Sequence, residues 1–266
     1  MKKKTTKKKQ DNICPIVTED IKSISMYFEI LDSLLKAEKD AFWFRGHADQ
    51  SWELKPSALR YPTIEKRELA LKIQSDFKRL VYNKLNSAPP LSDKVSWMGL
   101  AQHYGIPTRF LDWTRNPAIA LYFAINGHTD KTACVYLLNA EELNKKAFAT
   151  DRIFSADEDI SFFEKYLELD GKENSRGKKK TIAINPIYNS ERILLQRGAF
   201  TLHGNKKFSL DSSQASSLVC INIKPENKSK LRTELRRIGI DQMSIFPEPE
   251  HVSKYLKNFN DLNDYN

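Results

Sequence analysis

From Glu19 to Glu38 the apolar residues Ile21, Ile24, Tyr27, Phe28, Leu31, Leu34 and Leu35 recur every three or four positions, which predicts an amphipathic helix capped by Thr18. The segment Ala41-Phe42-Trp43-Phe44-Arg45-Gly46 is short, aromatic and closed by glycine. It reads as a buried strand that delivers Arg45 and His47 at its C-terminal edge. Helical spacing returns from Thr63 to Asn86, with Ile64, Leu69, Leu71, Ile73, Phe77, Leu80, Val81 and Leu85 as the expected buried stripe, and Pro89-Pro90 ends it. Ser92-Asp93 can cap a further helix to His103, with Gly105 as its stop and Pro107 beyond. Asn116-Pro117 then opens an almost wholly apolar helix, Ala118 to Ile125, with the proline where its missing N–H does no harm.

Strand-like runs follow at Thr132 to Leu138, Lys180 to Ile184, Ala199 to Leu202 and Leu218 to Ile223. A short helix capped by Asn189 or Ser190 is expected to end at Gln196-Arg197 before Gly198, and two more run from Lys228 to Ile240 and Glu250 to Phe259. Asp170 to Lys180, rich in Gly, Lys, Ser and Asn, reads as an exposed loop. Strands scattered among helices without strict alternation predict an α+β fold: one domain, with a mixed or mostly antiparallel sheet flanked by helices.

Charge changes this picture at one end. The 266 residues carry a formal charge of +9, but six of those charges are the lysines at positions 2, 3, 4, 7, 8 and 9. The chain therefore divides into a Lys-rich arm, residues 1–15, expected to be disordered, and a mildly basic domain, residues 16–266. The arm is either a solubilising tail or, with the basic loops at Lys172 to Lys180 and Lys206-Lys207, a phosphate footprint for nucleic acid. Three widely spaced cysteines, Cys14, Cys134 and Cys220, support neither a disulfide framework nor a zinc ribbon and fit a reducing cytoplasm. No apolar run approaches a membrane span and no apolar segment follows the first lysines, so neither a membrane partner nor secretion is expected.

Reactive side chains concentrate in three blocks: Phe42 to His47, Gln102 to Trp113, and Leu195 to His203. A planar guanidinium at Arg45 suits a phosphate or pyrophosphate, or else a salt bridge to Asp112 that pins two segments together. The middle block lacks regular periodicity and reads as a loop, where His103, Tyr104, Thr108, Arg109 and Asp112 can bind ligand or cap and fill the surrounding core. Thr201 and His203 alternate with Phe200 and Leu202 and so share one face, turned either to a cleft with Arg45 or to solvent. A metal-dependent phosphoesterase built on His47, His103, His203 and Asp112 is a further alternative, although no local ligand pair supports it and no metal is expected. P-loop, GxGxxG and GxSxG signatures are absent.

The Phe44-Arg45-Gly46 motif, the run His103-Tyr104-Gly105-Ile106-Pro107-Thr108-Arg109-Phe110-Leu111-Asp112-Trp113-Thr114 and the stretch Gln196-Arg197-Gly198-Ala199-Phe200-Thr201-Leu202-His203 together resemble the FRG-domain family of bacteria and phages, over roughly Phe28 to Leu256. The resemblance implies, by fold-level analogy, a distant relationship to ADP-ribosyltransferases and a toxin or phage-defence setting. On that reading NAD is the cofactor. Arg45, Glu191 and Gln196 are the candidate catalytic residues; Arg45, His47, His103, Tyr104, Thr108, Arg109, Asp112, Thr201 and His203 are the candidate NAD-binding set. The acceptor would be nucleic acid or another macromolecule. Many such transferases carry a glutamate on a late strand, whereas Gln196-Arg197-Gly198 has no acid, and Glu191 also suits the first turn of a helix. A non-catalytic nucleic-acid or nucleotide sensor is the remaining alternative.

Overall fold

The structure is a computed structural model that describes residues 16–17, 20–35, 42–168, 180–188, 190–204 and 217–259. In chain order its elements are β1 (Ile16–Val17), α1 (Ile24–Leu34), β2 (Phe42–His47), α2 (Ile64–Val81), α3 (Lys94–His103), β3 (Phe110–Thr114), α4 (Pro117–Ile125), β4 (Ala133–Asn139) and α5 (Ala140–Phe148). There follow β5 (Phe154–Ser155), α6 (Ile160–Glu168), β6 (Ile182–Asn185), α7 (Glu191–Leu195), β7 (Gly198–Leu202), β8 (Leu218–Ile223), α8 (Lys228–Arg237), α9 (Gln242–Ile245) and α10 (Pro249–Phe259). One sheet runs in the order β1-β8-β4-β2-β3-β7-β6-β5. Its two outer pairs, β1 with β8 and β5 with β6, are parallel and the rest antiparallel, so the α+β fold with a mixed sheet is present.

Strand alternation divides the core. Phe44, Val135, Leu137, Ile221 and Ile223 pack beneath α1, α4 and α8. Phe110, Ile182, Ile184, Phe200 and Leu202 pack against Val95 and Met98 of α3 and Phe163 of α6. Phe44 pairs with Thr114, two residues along from Asp112 and four from Phe110, so both clusters lie on one face of the sheet. Trp43, Leu111, Trp113, Leu138, Ala183 and Ala199 face the other way, with Ala140 and Leu143 of α5. The two halves meet at a seam: β2 pairs with β4 at six positions and β3 with β7 at five, but β2 and β3 share only Phe44–Thr114.

Several expectations need correction. The helix expected from Glu19 starts at Ile24, with Ser23 rather than Thr18 as its cap; Thr18 and residues 36–41 lie outside the described residues. On α2 the expected buried stripe does not form: Ile64, Leu69 and Leu80 are exposed and only Ala70 is buried. This helix sits at the periphery, held by Gln74 Nε2 donating to the Pro107 carbonyl (2.8 Å) and by Phe77 against Tyr104. The block read as a loop contains the central strand β3, whose residues are buried except Asp112; a strand buried on both faces shows no alternation in sequence. The Lys-rich arm 1–15, Asn189, Lys206-Lys207 and the 170–180 loop except Lys180 lie outside the described residues.

Candidate functional site

Over the seam, between the two helical halves, a cleft of about 290 Å³ opens. Its lining draws on all three sequence blocks: Phe44, Arg45 and Gly46 from β2; Gln102, His103 and Asp112 from α3 and β3; Arg192, Gln196, Gly198 and Phe200 from α7 and β7. Gly99 of α3, Trp113 and Thr114 of β3, Phe123 of α4 and Ile193 of α7 complete it.

The Phe-Arg-Gly triplet has a separate physical task at each position. Phe44 fills the core under α4. Gly46 lets α4 lie directly on the strand, for a Cβ there would stand 2.0 Å from the Ala120 carbonyl oxygen and 2.5 Å from the Ala124 nitrogen. Arg45 closes the seam where backbone pairing stops: its Nη1 donates to the Asp112 carbonyl at 2.5 Å, with the Asp112 carboxylate 3.8 Å away. Its Nε donates to His47 Nε2 at 3.0 Å, which fixes the imidazole proton on Nδ1. Burial, and then the neighbouring Arg45 charge, push the His47 pKa down to about 3, so the ring is a neutral acceptor. Burial also lowers the Arg45 pKa, opposed chiefly by Asp112.

Asp112 is the one carboxylate among the lining residues, and its side chain is 63% exposed. Gln102 Nε2 donates to its Oδ1 at 2.5 Å. Thr108, fully buried, donates its hydroxyl to Gln102 Oε1 and accepts the Phe110 N–H, while its own N–H reaches Ser57 Oγ at 3.1 Å. Thr108 therefore orients Gln102, which orients Asp112, and does not itself line the cleft. On the third wall, Gln196 accepts the Thr114 hydroxyl at its carbonyl (2.6 Å) and donates Nε2 to the Ile245 carbonyl of α9 at 3.3 Å. Arg197 holds a left-handed backbone (φ 45°) that turns the chain into β7, and its carbonyl accepts the Arg115 N–H at 3.0 Å.

Of the residues singled out from sequence, Arg45, His103, Asp112 and Gln196 share the cleft lining. His47 lies buried behind Arg45, and Tyr104, more than half exposed, packs beside His103 and Phe77 outside the lining. Arg109 is buried and accepts the His203 N–H at its carbonyl. Thr201 and His203 are buried, neither in the cleft nor in solvent. The β3–β7 register sets Thr201 opposite Leu111, on the Trp113 side, where Trp113 Nε1 donates to Thr201 Oγ1 at 2.9 Å and that hydroxyl meets His203 Nε2 at 3.0 Å. Glu191 is an exposed first-turn residue of α7 and lies outside the lining. Among the described residues no three His, Cys, Asp or Glu side chains come together to hold a metal ion; His47, His103 and His203 stand in three separate environments.

Sequence reasoning passed over Arg192, Phe123 and Gly99. Arg192 lines the cleft at the end of its one-turn spacing from Gln196, a periodicity visible in the sequence. Phe123 and Gly99 sit in helices whose apolar composition reads simply as core.

No helix among the described residues is long and apolar enough to cross a membrane. No curated protein and no solved structure matches the chain. Residues 40–133, through the first residue of β4, match the family model of the FRG domain; this segment builds the seam, Arg45, Gly46 and two walls of the cleft, and over these residues the chain is similar to the FRG-domain family.

Proposed function

We propose that the cleft binds a phosphate-bearing nucleotide and that the protein transfers ADP-ribose from NAD to nucleic acid or another macromolecule, in the cytoplasm and in the toxin or phage-defence setting that the family resemblance suggests. One observation carries the reading. Three sequence blocks up to about 150 residues apart close around one solvent-open cleft that combines arginines on two walls, the amide of Gln102, the rings of Phe44, Phe123 and Phe200, and a single exposed carboxylate. Its volume, about 290 Å³, lies just below the roughly 300–1,000 Å³ of small-molecule sites. That suits one half of a dinucleotide and its phosphates, with the remainder lying in the open mouth.

NAD bound there would supply a ribose whose bond to nicotinamide breaks with the electron pair leaving on the nicotinamide nitrogen. The side chains of this protein have the complementary tasks. Arg192 holds anionic oxygens, the aromatic rings offer flat faces, and Asp112 faces the positive charge that develops at the reacting carbon. The same carboxylate takes the proton released when the acceptor nucleophile bonds to that carbon. Asp112 replaces Glu191 in this role because it lines the cleft and Glu191 does not.

The test is transfer of label from NAD to nucleic acid or cell extract by the full chain. Label should reach the acceptor with wild type and fall on the order of 100-fold or more with Asp112→Asn, which keeps the Gln102 contact and removes the charge. No transfer by wild type, or equal transfer by Asp112→Asn, overturns the reading.

A further inference from the structure

Arg192 is the cleft cation that the fold leaves unspent. It lines the cleft from the first turn of α7, with its side chain 36% exposed. Among the described residues its guanidinium donates no hydrogen bond. Its partners are the Phe246 ring, 5.1 Å from the guanidinium carbon, and Glu248 Oε1, 3.7 Å from Nη1. The contact with the ring is a cation–π interaction, which leaves the N–H donors of the guanidinium unused. The ion pair is longer than a hydrogen bond. Glu248, for its part, is three-quarters buried, and its Oε2 is enclosed without a hydrogen-bond partner. A carboxylate so placed is held by charge attraction to Arg192 while its second oxygen goes unsatisfied, an arrangement that leaves free energy to be recovered when it is released.

The segment carrying these groups is anchored to the same wall. The Ile245 carbonyl accepts Gln196 Nε2, and the Phe246 ring meets Phe123 edge-on at 5.9 Å and stacks on His251 at 4.3 Å. The residues that set the state of Arg192 therefore come from the turn between α9 and α10, far outside the matched 40–133 segment.

We infer that Arg192 is the anion receptor of the cleft and that Glu248 is its resident counter-ion, displaced when a phosphate group of the ligand takes the guanidinium. This rests on the reading of the cleft as a nucleotide site. A planar fork with uncommitted donors matches a phosphate in two-point contact, and the ligand class it selects is a nucleoside diphosphate over the bare nucleoside. Glu248 acts through Arg192 and is a positioning residue, not a ligand contact. Its removal should improve binding, which a merely structural role does not do.

The experiment is calorimetric titration of the full chain with ADP, and with adenosine as the uncharged control, in wild type, Glu248→Gln, Arg192→Ala, Arg192→Lys and the Arg192→Ala/Glu248→Gln double variant, each checked for an unchanged thermal transition. The expected result is ADP binding tightened about three- to tenfold by Glu248→Gln, weakened at least tenfold by Arg192→Ala, partly restored by Arg192→Lys, and indifferent to Glu248→Gln once Arg192 is gone. Adenosine should respond to none of them. ADP affinity unchanged or weakened in Glu248→Gln overturns the inference. ADP binding that ignores Arg192→Ala yet is lost in Gln102→Ala overturns it while keeping the cleft as a nucleotide site. Absence of ADP binding to wild type sinks both.

Discussion

Two arginines reach the same cleft from different walls, Arg45 from the β2–β3 seam and Arg192 from the rim formed by α7 and the turn before α10. Arg45 is nearly buried, and two of its three nitrogens are spent, Nε on His47 of its own strand and Nη1 on the Asp112 carbonyl, where it stands in for the backbone pairing that β2 and β3 lack. Arg192 is twice as exposed and donates no hydrogen bond among the described residues. The first belongs to the fold and the second is free for a ligand, although the sequence makes Arg45, in its aromatic motif, the more conspicuous. A guanidinium recruited to close a sheet is a poor anion receptor because its Nε and one Nη are already committed to the fold and its orientation is set by them.

Perturbing the seam should therefore destabilise the protein, and perturbing the rim should change binding alone. The largest effect is expected from Gly46→Ala. Its new methyl would overlap the backbone of α4, which no side-chain rotation relieves, so a loss of about 3 kcal/mol or more, or failure to fold, should appear in urea unfolding. Next comes Arg45→Met, which leaves the Asp112 carbonyl and His47 Nε2 without their donor. About 2–4 kcal/mol of unfolding free energy should be lost, whatever happens to ligand affinity.

The pH dependence of stability separates the two walls further. The folded-state pKa of His47 is about 3, well below the ordinary value of 6.5, so between those limits the unfolded chain binds the extra proton. The contribution of His47 is thus fully present above pH 6.5 and is lost as pH falls toward 3, with a slope approaching about 1.4 kcal/mol per pH unit. His47→Gln keeps an acceptor for Arg45 Nε and should flatten that part of the curve; an unchanged slope between pH 6.5 and 4.5 would show that His47 is not held neutral. The smallest stability effect belongs to Arg192→Ala. Its one ion pair is partly exposed and loosely spaced, so unfolding free energy should move by less than about 1 kcal/mol. A shift as large as that of Arg45→Met would erase the distinction between seam and rim.

How much of this was legible in the sequence depended on how local the cause was. The caps Asp93 and Asn116, the stop at Gly105 and both ends of β8 follow from neighbouring residues and appear where the pattern places them. The convergence of the three blocks was visible through their shared concentration of polar groups. Strand β3 was not, because burial on both faces removes the alternation that marks a strand. Thr201 and His203 show the limit of periodicity: alternation places Thr201 of β7 and His203 just after it on one side, where the Thr201 hydroxyl meets His203 Nε2, but only the pairing with Leu111 decides that this side packs against Trp113. Arg192 was hidden for another reason. Its significance lies in partners some fifty residues later, Phe246 and Glu248, and in the hydrogen bonds it does not make. The absence of any acid near Gln196 directed attention to Glu191, while the carboxylate of the cleft, Asp112, lay inside the best-marked block.

The most direct measurement is a crystal structure of the full chain with ADP. The account predicts a phosphate within hydrogen-bonding reach of the Arg192 guanidinium, Glu248 moved off it, and the contacts of Arg45 to His47 and Asp112 unchanged. A phosphate bound elsewhere, or one seated in the cleft while the Arg192–Glu248 pair stays closed, would contradict it.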